Sequence, residues 1–217
     1  MPGVGERLYL ITDGTAKRDT TRFLEKIDKA LSGGARLIQI REKDLSAREL
    51  LGLAKVIKEK AARYGALVLI NDRADIALLA GADGVHITGA GYAPCEARNI
   101  LGPKAVIGVS THSIIDAGKA EKEGADFVTF GPVYFTESKA AYGEPLGIAK
   151  LREAASAIKV PVFALGGVTT ERVKEAVSNG AFGVAVISAV FGSYDIEKSV
   201  KGFLEVLYPN IQTRGQR

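Results

Sequence analysis

Two stretches, Ala164-Leu-Gly-Gly-Val-Thr169 and Gly183-Val-Ala-Val-Ile-Ser-Ala189, decide how this 217-residue chain is read. Each is an apolar strand that ends in small residues and then gives way to a helix. Small residues let backbone N–H groups come close to an anion, and a helix N-terminus adds the positive end of its dipole. Two such strand ends in succession, closing a repeating α/β chain, match the phosphate site after strands seven and eight of a barrel. The ligand class this implies is a phosphorylated small molecule.

Working outward, short apolar runs recur along the whole chain. The predicted strands are Leu8–Ile11, Leu37–Ile40, Leu67–Ile70, Gly84–Ile87, Val106–Val109, Phe127–Phe130, Val162–Leu165 and Val184–Ile187. Helical periodicity predicts Arg22–Leu31, Ala47–Arg63, Asp75–Ala80, Ile114–Glu123, Ile148–Ala157 and Glu171–Ser178 between them, with a further helix starting near Pro94. Strands that are apolar throughout are buried on both faces, which signals parallel strands covered by helices. Gly34-Ala35, Gly65-Ala66, Gly81-Ala82, Gly124-Ala125 and Gly180-Ala181 each sit between a helix and the next strand, where glycine caps the helix in a left-handed conformation. The expected fold is a single α/β (β/α)8 TIM barrel over residues 1–211, with 212–217 as a disordered tail. A doubly wound open sheet is the other α/β arrangement, but no Gly-x-Gly-x-x-Gly follows the first strand.

Composition narrows the function classes. A hydrophobic content of 47% with 25% charged residues is that of a globular chain with a substantial core. No apolar run is long enough to span a bilayer and Leu8–Ile11 is too short for a signal core, so a cytoplasmic protein without a membrane partner is expected. The single cysteine, Cys95, excludes an internal disulfide or a Cys-based zinc site and reads as a bystander thiol. A net charge of +4 raises nucleic acid as a partner. The basic residues, however, alternate with acids, as in Glu25-Lys26 and Glu121-Lys122-Glu123, and there is no Trp, so nucleic-acid binding is not expected. A homo-oligomer is left open.

Barrel chemistry sits at the C-terminal strand ends. The second strand ends in Gln39-Ile-Arg-Glu-Lys43, and alternation puts Gln39, Arg41 and Lys43 on one side. Two cations so placed suit a diphosphate, the alternative being ion pairs with Glu42 or Asp44. Asn71-Asp72 ends the third strand, an amide to hold a polar ring beside a carboxylate for Mg2+; the alternative makes Asp72 an N-cap. Ser110-Thr-His-Ser113 follows the fifth strand, with Ser110 and His112 facing the site, His112 as acid or base, and Ser113 as an N-cap. His86 reads as a packed structural residue. The longest loop, Gly131–Gly147, carries Thr136, Ser138 and Lys139, hydroxyls and a cation for phosphate oxygens. Gly166-Gly167 and Ile187-Ser188 complete the ring. No covalent nucleophile stands out, which favours transfer or isomerisation of phosphorylated substrates.

In this order the motifs resemble the thiamine phosphate synthase family and its relative, the thiazole tautomerase. They are Gln39-x-Arg41-x-Lys43, Ile70-Asn-Asp72, Gly81-Ala-Asp-Gly-Val-His86, Gly108-Val-Ser-Thr-His112, Gly131-Pro-Val-Tyr-x-Thr136-x-Ser-Lys139, Gly166-Gly167 and Val186-Ile-Ser188. The resemblance implies a transferase that joins a hydroxymethylpyrimidine diphosphate to a thiazole phosphate and releases pyrophosphate. It assigns Gln39, Arg41, Lys43 and Lys139 to the diphosphate substrate, Asn71 to its ring, Asp72 to Mg2+ and Ser110 to the pyrimidine pocket. Thr136, Ser138, Gly166, Ile187 and Ser188 fall to the thiazole phosphate, and the catalytic set is Arg41, Lys43, Ser110 and Lys139. One departure stands out: Gly91 lies where the synthases usually carry a second metal-binding Asp. That segment is more similar to the tautomerase branch, in which His112 would move the proton. A non-catalytic phosphate-binding regulator is the third reading.

Overall fold

A computed structural model describes residues 4–89, 91–136 and 144–209. Eight strands alternate with helices: β1 (Leu8–Ile11), α1 (Thr20–Ser32), β2 (Leu37–Ile40), α2 (Ala47–Ala62), β3 (Leu67–Asn71), α3 (Ala74–Ala80), β4 (Gly84–Ile87), α4 (Pro94–Leu101), β5 (Val106–Thr111), α5 (Ile114–Lys122), β6 (Phe127–Phe130), α6 (Gly147–Ala157), β7 (Val162–Leu165), α7 (Thr170–Ser178), β8 (Gly183–Val186), α8 (Ser188–Phe191) and α9 (Ile196–Leu207). Every strand pairs in parallel with its neighbours in sequence, and β8 closes on β1 with Leu10 opposite Val186. The fold is the expected (β/α)8 barrel.

Strand alternation divides the buried residues into two cores. Leu8, Leu10, Ile38, Ile40, Val68 and Ile70 point outward into the layer beneath the helices. Tyr9, Leu37, Leu69, Val106, Phe127 and Phe163 fill the barrel interior. There the aromatic rings interlock edge to face, Tyr9 on Phe127 at 5.2 Å between centroids and Phe127 on Phe163 at 5.2 Å, a favoured geometry for aromatic pairs. The lower barrel is therefore a solid apolar plug, and polar residues take over only toward the C-terminal strand ends.

The five Gly-Ala junctions behave as the sequence predicts: Gly34, Gly65, Gly81, Gly124 and Gly180 all have positive φ. At Gly81, φ is +63° and its N–H donates to the Leu78 carbonyl, turning the chain out of α3 and back toward β4. Helix starts are marked by side-chain caps, Asp19 on Arg22 N, Ser46 on Glu49 N and Ser113 on Asp116 N. β3 and β5 run to Asn71 and Thr111, one and two residues beyond the predicted ends. β8 stops at Val186 and leaves Ile187 as the N-cap of α8. The predicted elements omit α9. This helix packs on α1, and Gly33 comes so close that a Cβ there would lie 2.8 Å from the Glu197 carbonyl oxygen. The 212–217 tail lies outside the described residues.

Candidate active site

The strand ends are tied to one another around the barrel mouth. Gln39 is 1% exposed and donates from Nε2 to Asn71 Oδ1 at 2.9 Å, while Asn71 Nδ2 donates to Asp72 Oδ2 at 2.8 Å. From the β4–α4 loop, Thr88 donates its backbone N–H to Asp72 Oδ1 at 2.7 Å and its hydroxyl to Asp72 Oδ2 at 3.0 Å. Asp72 itself takes the left-handed conformation, φ +56°, uncommon for a residue with a side chain and more tolerated by Asp than by most. That twist turns its carboxylate toward Thr88. Asp72 does not cap α3; Arg73 takes the N-cap position without a side-chain bond. The Tyr92 hydroxyl donates to the Asp72 carbonyl and accepts from Ala74 N, bracing the same turn.

The ring continues through β5 to β7. His86 Nε2 lies 2.9 Å from Ser110 Oγ. His112 Nδ1 donates to the Gly131 carbonyl, which leaves Nε2 as the ring nitrogen for chemistry. Val133 N and Tyr134 N donate to the carbonyls of Leu165 and Gly166, locking the start of the long loop onto the β7 end. Gly166 and Gly167 have φ of +93° and +64°, and side chains there would run into Pro132 Cα at 2.6 Å and Tyr134 Cβ at 2.9 Å. Glycine is thus required both by backbone conformation and by the loop lying across it. The Arg172 guanidinium stacks over Tyr134 and donates to the Gly167 carbonyl, and the Tyr134 hydroxyl donates to Glu175. Burial, with Glu175 as a second cause, raises the Tyr134 pKa.

The alternative ion pairs do not form. Among the described residues neither Arg41 nor Lys43 has an ionic partner, and Glu42 is turned away from both. Its buried carboxylate accepts from Gly14 N at 3.0 Å and Ala16 N at 2.8 Å, holding the β1–α1 loop against the mouth. Burial raises the Glu42 pKa. Thr12 reinforces this by accepting from Arg41 N at 2.8 Å. Glu42 is the residue that sequence reading missed. The sequence offers it only as a partner for neighbouring cations, since its bonds to Gly14 and Ala16 join residues 28 and 26 apart. Ser138 and Lys139 lie outside the described residues. Thr136, Ile187 and Ser188 lie on the β6 and β8 side with the two glycines.

A hard cation at Asp72 would meet one carboxylate, most of whose lone pairs are already in use. An ionised carboxylate offers about four lone-pair positions, and three are taken by Thr88 and Asn71. Mg2+ commonly takes one or two carboxylates together with substrate phosphates. Among the described residues no three His, Cys, Asp or Glu side chains group as a metal-binding set. A Cβ at Gly91 would lie 3.5 Å from Asp72 Oδ1, so position 91 does border the carboxylate, and glycine leaves it unaccompanied. Glu96 does not substitute; its carboxylate accepts from Ala93 N at the start of α4. Beside this turn a cavity of about 490 Å³ opens between the β4 and β5 loops, bordered by Thr88, Gly91, Tyr92, Ser110 and His112.

Residues 8–190 match the family model described as thiamine monophosphate synthase. The chain belongs to that family. It is 49% identical over 211 residues to a putative thiamine-phosphate synthase of Geobacter sulfurreducens, covering 96% of this chain and 98% of the relative. It is 41% identical over 199 residues to the thiamine-phosphate synthase of Clostridium novyi, covering 91% and 97%. Among solved structures, the thiamine phosphate pyrophosphorylase from Pyrococcus furiosus superposes with a TM-score of 0.84 at 33% identity, over 95% of this chain and 97% of that one. Family membership thus agrees with the motif order read from the sequence. Among the described residues no helix is long and apolar enough to cross a membrane.

Proposed function

We propose that the chain is a cytoplasmic thiamine-phosphate synthase. It joins 4-amino-2-methyl-5-hydroxymethylpyrimidine diphosphate to 4-methyl-5-(2-phosphooxyethyl)thiazole, giving thiamine phosphate and pyrophosphate. The observation that carries this reading is the line Gln39–Asn71–Asp72 at the mouth, with Arg41 and Lys43 beside it and no ionic partner for either among the described residues. Amides that are already oriented suit the polar edge of a pyrimidine. Two unpaired cations suit the diphosphate.

In the reaction the bond between the pyrimidine methylene and its diphosphate oxygen breaks, and the electron pair leaves with pyrophosphate. The thiazole nitrogen then bonds to the methylene carbon through its own lone pair, so no enzyme nucleophile is needed. Arg41 and Lys43, with Lys139 from the long loop, stabilise the negative charge that grows on the leaving group. Asp72 would hold Mg2+, which when bound supplies charge neutralisation to the diphosphate. Gly166, Ile187 and Ser188 hold the thiazole phosphate on backbone N–H groups, helped by the hydroxyls of Thr136 and Ser138.

The test is thiamine phosphate formation from the two purified substrates with and without Mg2+, alongside Asp72→Asn. Mg2+-dependent product that falls at least about a hundredfold in the variant is expected, the scale of a lost charge-stabilising group. No product, where a control synthase works, overturns the reading. One observation favours a second reading, thiazole phosphate tautomerisation: His112 Nε2 is left available beside Gly91. Metal-independent isomerisation abolished by His112→Ala would establish it.

A further inference from the structure

His86 is only 2% exposed on the inner face of β4, one step below the mouth, and its ring touches two different worlds. Nε2 faces Ser110 Oγ at 2.9 Å. Nδ1 has no hydrogen-bond partner. Its surroundings are apolar: the Gly108 backbone approaches so closely that a Cβ there would lie 2.6 Å from Nδ1, and the rings of Tyr9 and Phe127 flank the imidazole at 5.5 and 5.8 Å between centroids. A buried N–H without an acceptor is among the rarest arrangements in folded proteins, whereas an unused lone pair is tolerated more often. The proton therefore belongs on Nε2.

We propose that His86 is a positioning residue whose Nε2–H donates to Ser110 Oγ, so that the Ser110 hydroxyl directs its own proton to an acceptor atom of the pyrimidine diphosphate. The argument is one of counting. A serine hydroxyl has one proton and two lone pairs. Were His86 Nε2 bare, Ser110 would donate downward into the barrel and offer the ligand lone pairs only. Ring nitrogens and diphosphate oxygens are acceptors, so a hydroxyl presenting lone pairs would repel them. The tautomer of a ring that never touches substrate thus sets whether Ser110 attracts or repels it. This inference rests on the synthase reading for the identity of the ligand, but not for the tautomer.

The chain has two histidines, so ring-15N-labelled protein gives two imidazole patterns in long-range 1H–15N spectra, assigned with His112→Gln. His86 is expected as the Nε2–H tautomer and His112 as Nδ1–H. An Nδ1–H or doubly protonated His86 at neutral pH overturns the proposal. The second arm is a double-mutant cycle on calorimetric affinity for the pyrimidine diphosphate. His86→Leu is expected to weaken binding about tenfold with Ser110 present and less than about threefold in Ser110→Ala, since only a residue acting through Ser110 loses its effect when Ser110 is gone. His86→Gln, which carries an N–H at the place of Nε2–H, is expected to restore affinity to within about threefold of the parent. Equal losses in both backgrounds, or failure of the Gln rescue, overturn the positioning role. The tautomer is read on the free protein: its loss leaves the synthase reading intact, whereas an Nε2–H ring in a protein that does not bind the diphosphate overturns both.

Discussion

At His86 the consequence of burial is also thermodynamic. Its ordinary pKa of 6.5 falls to about 4 in the folded protein because burial disfavours the charged ring. Above pH 6.5 the ring is neutral in both folded and unfolded states. Between 6.5 and about 4 the unfolded chain takes up a proton that the folded protein does not, so stability is lost as pH falls, on the order of 3 kcal/mol in all. Urea midpoints measured from neutral pH down to pH 4 should show this fall, and His86→Gln should flatten it. Glu42 gives a second test. Gln in its place keeps one acceptor and turns an amide N–H toward a backbone donor, so Glu42→Gln should cost about 1–3 kcal/mol in urea unfolding. Because Glu42 holds the β1–α1 loop beside Arg41, the KM for the pyrimidine diphosphate should rise as well. Sequence alone put Gln39 and the Asn71-Asp72 pair at the ends of β2 and β3, because the apolar runs fix where those strands stop. It could not reach the hold of Glu42 on Gly14 and Ala16 or the clasp of Thr88 on Asp72, since these contacts join loops 26–28 and 16 residues apart.

Among the elements, α9 is the instructive case. Ile196, Val200, Phe203 and Leu207 recur at helical spacing and are all buried, so its apolar stripe was present in the sequence. A regular strand–helix alternation allots one helix after β8, whereas the structure places α8 and α9 there. Two helices follow instead because four residues cannot cover the gap between α7 and α1; α9 packs on both. Its end is fastened by Arg7, which donates from Nε to the Phe182 carbonyl and from Nη1 to the Leu207 carbonyl, while Arg7 N donates to the Tyr208 hydroxyl. Phe203 is 1% exposed. Phe203→Ala should therefore cost about 3–5 kcal/mol, the scale of a large core truncation, read as a lowered urea midpoint with unchanged slope. The strands, by contrast, were legible almost residue for residue, because apolar runs bounded by Gly-Ala pairs admit little other reading.

For the molecule as a whole, ligand binding should register as global stability. Pyrophosphate with Mg2+ at a hundredfold excess over its Kd should add about 2.7 kcal/mol, or about 5–10 °C in Tm for a chain of this size. Asp72→Asn should abolish most of the Mg2+-dependent part of that shift, and an equal shift in the variant would remove Asp72 from the proposed metal site. The aromatic plug of Tyr9, Phe127 and Phe163 carries a further consequence, one of traffic. Among the described residues these rings close the floor of the barrel, so two reactants and two products share the mouth. Whatever reaches the amides of Gln39 and Asn71 must therefore come and go on the side of the C-terminal strand ends.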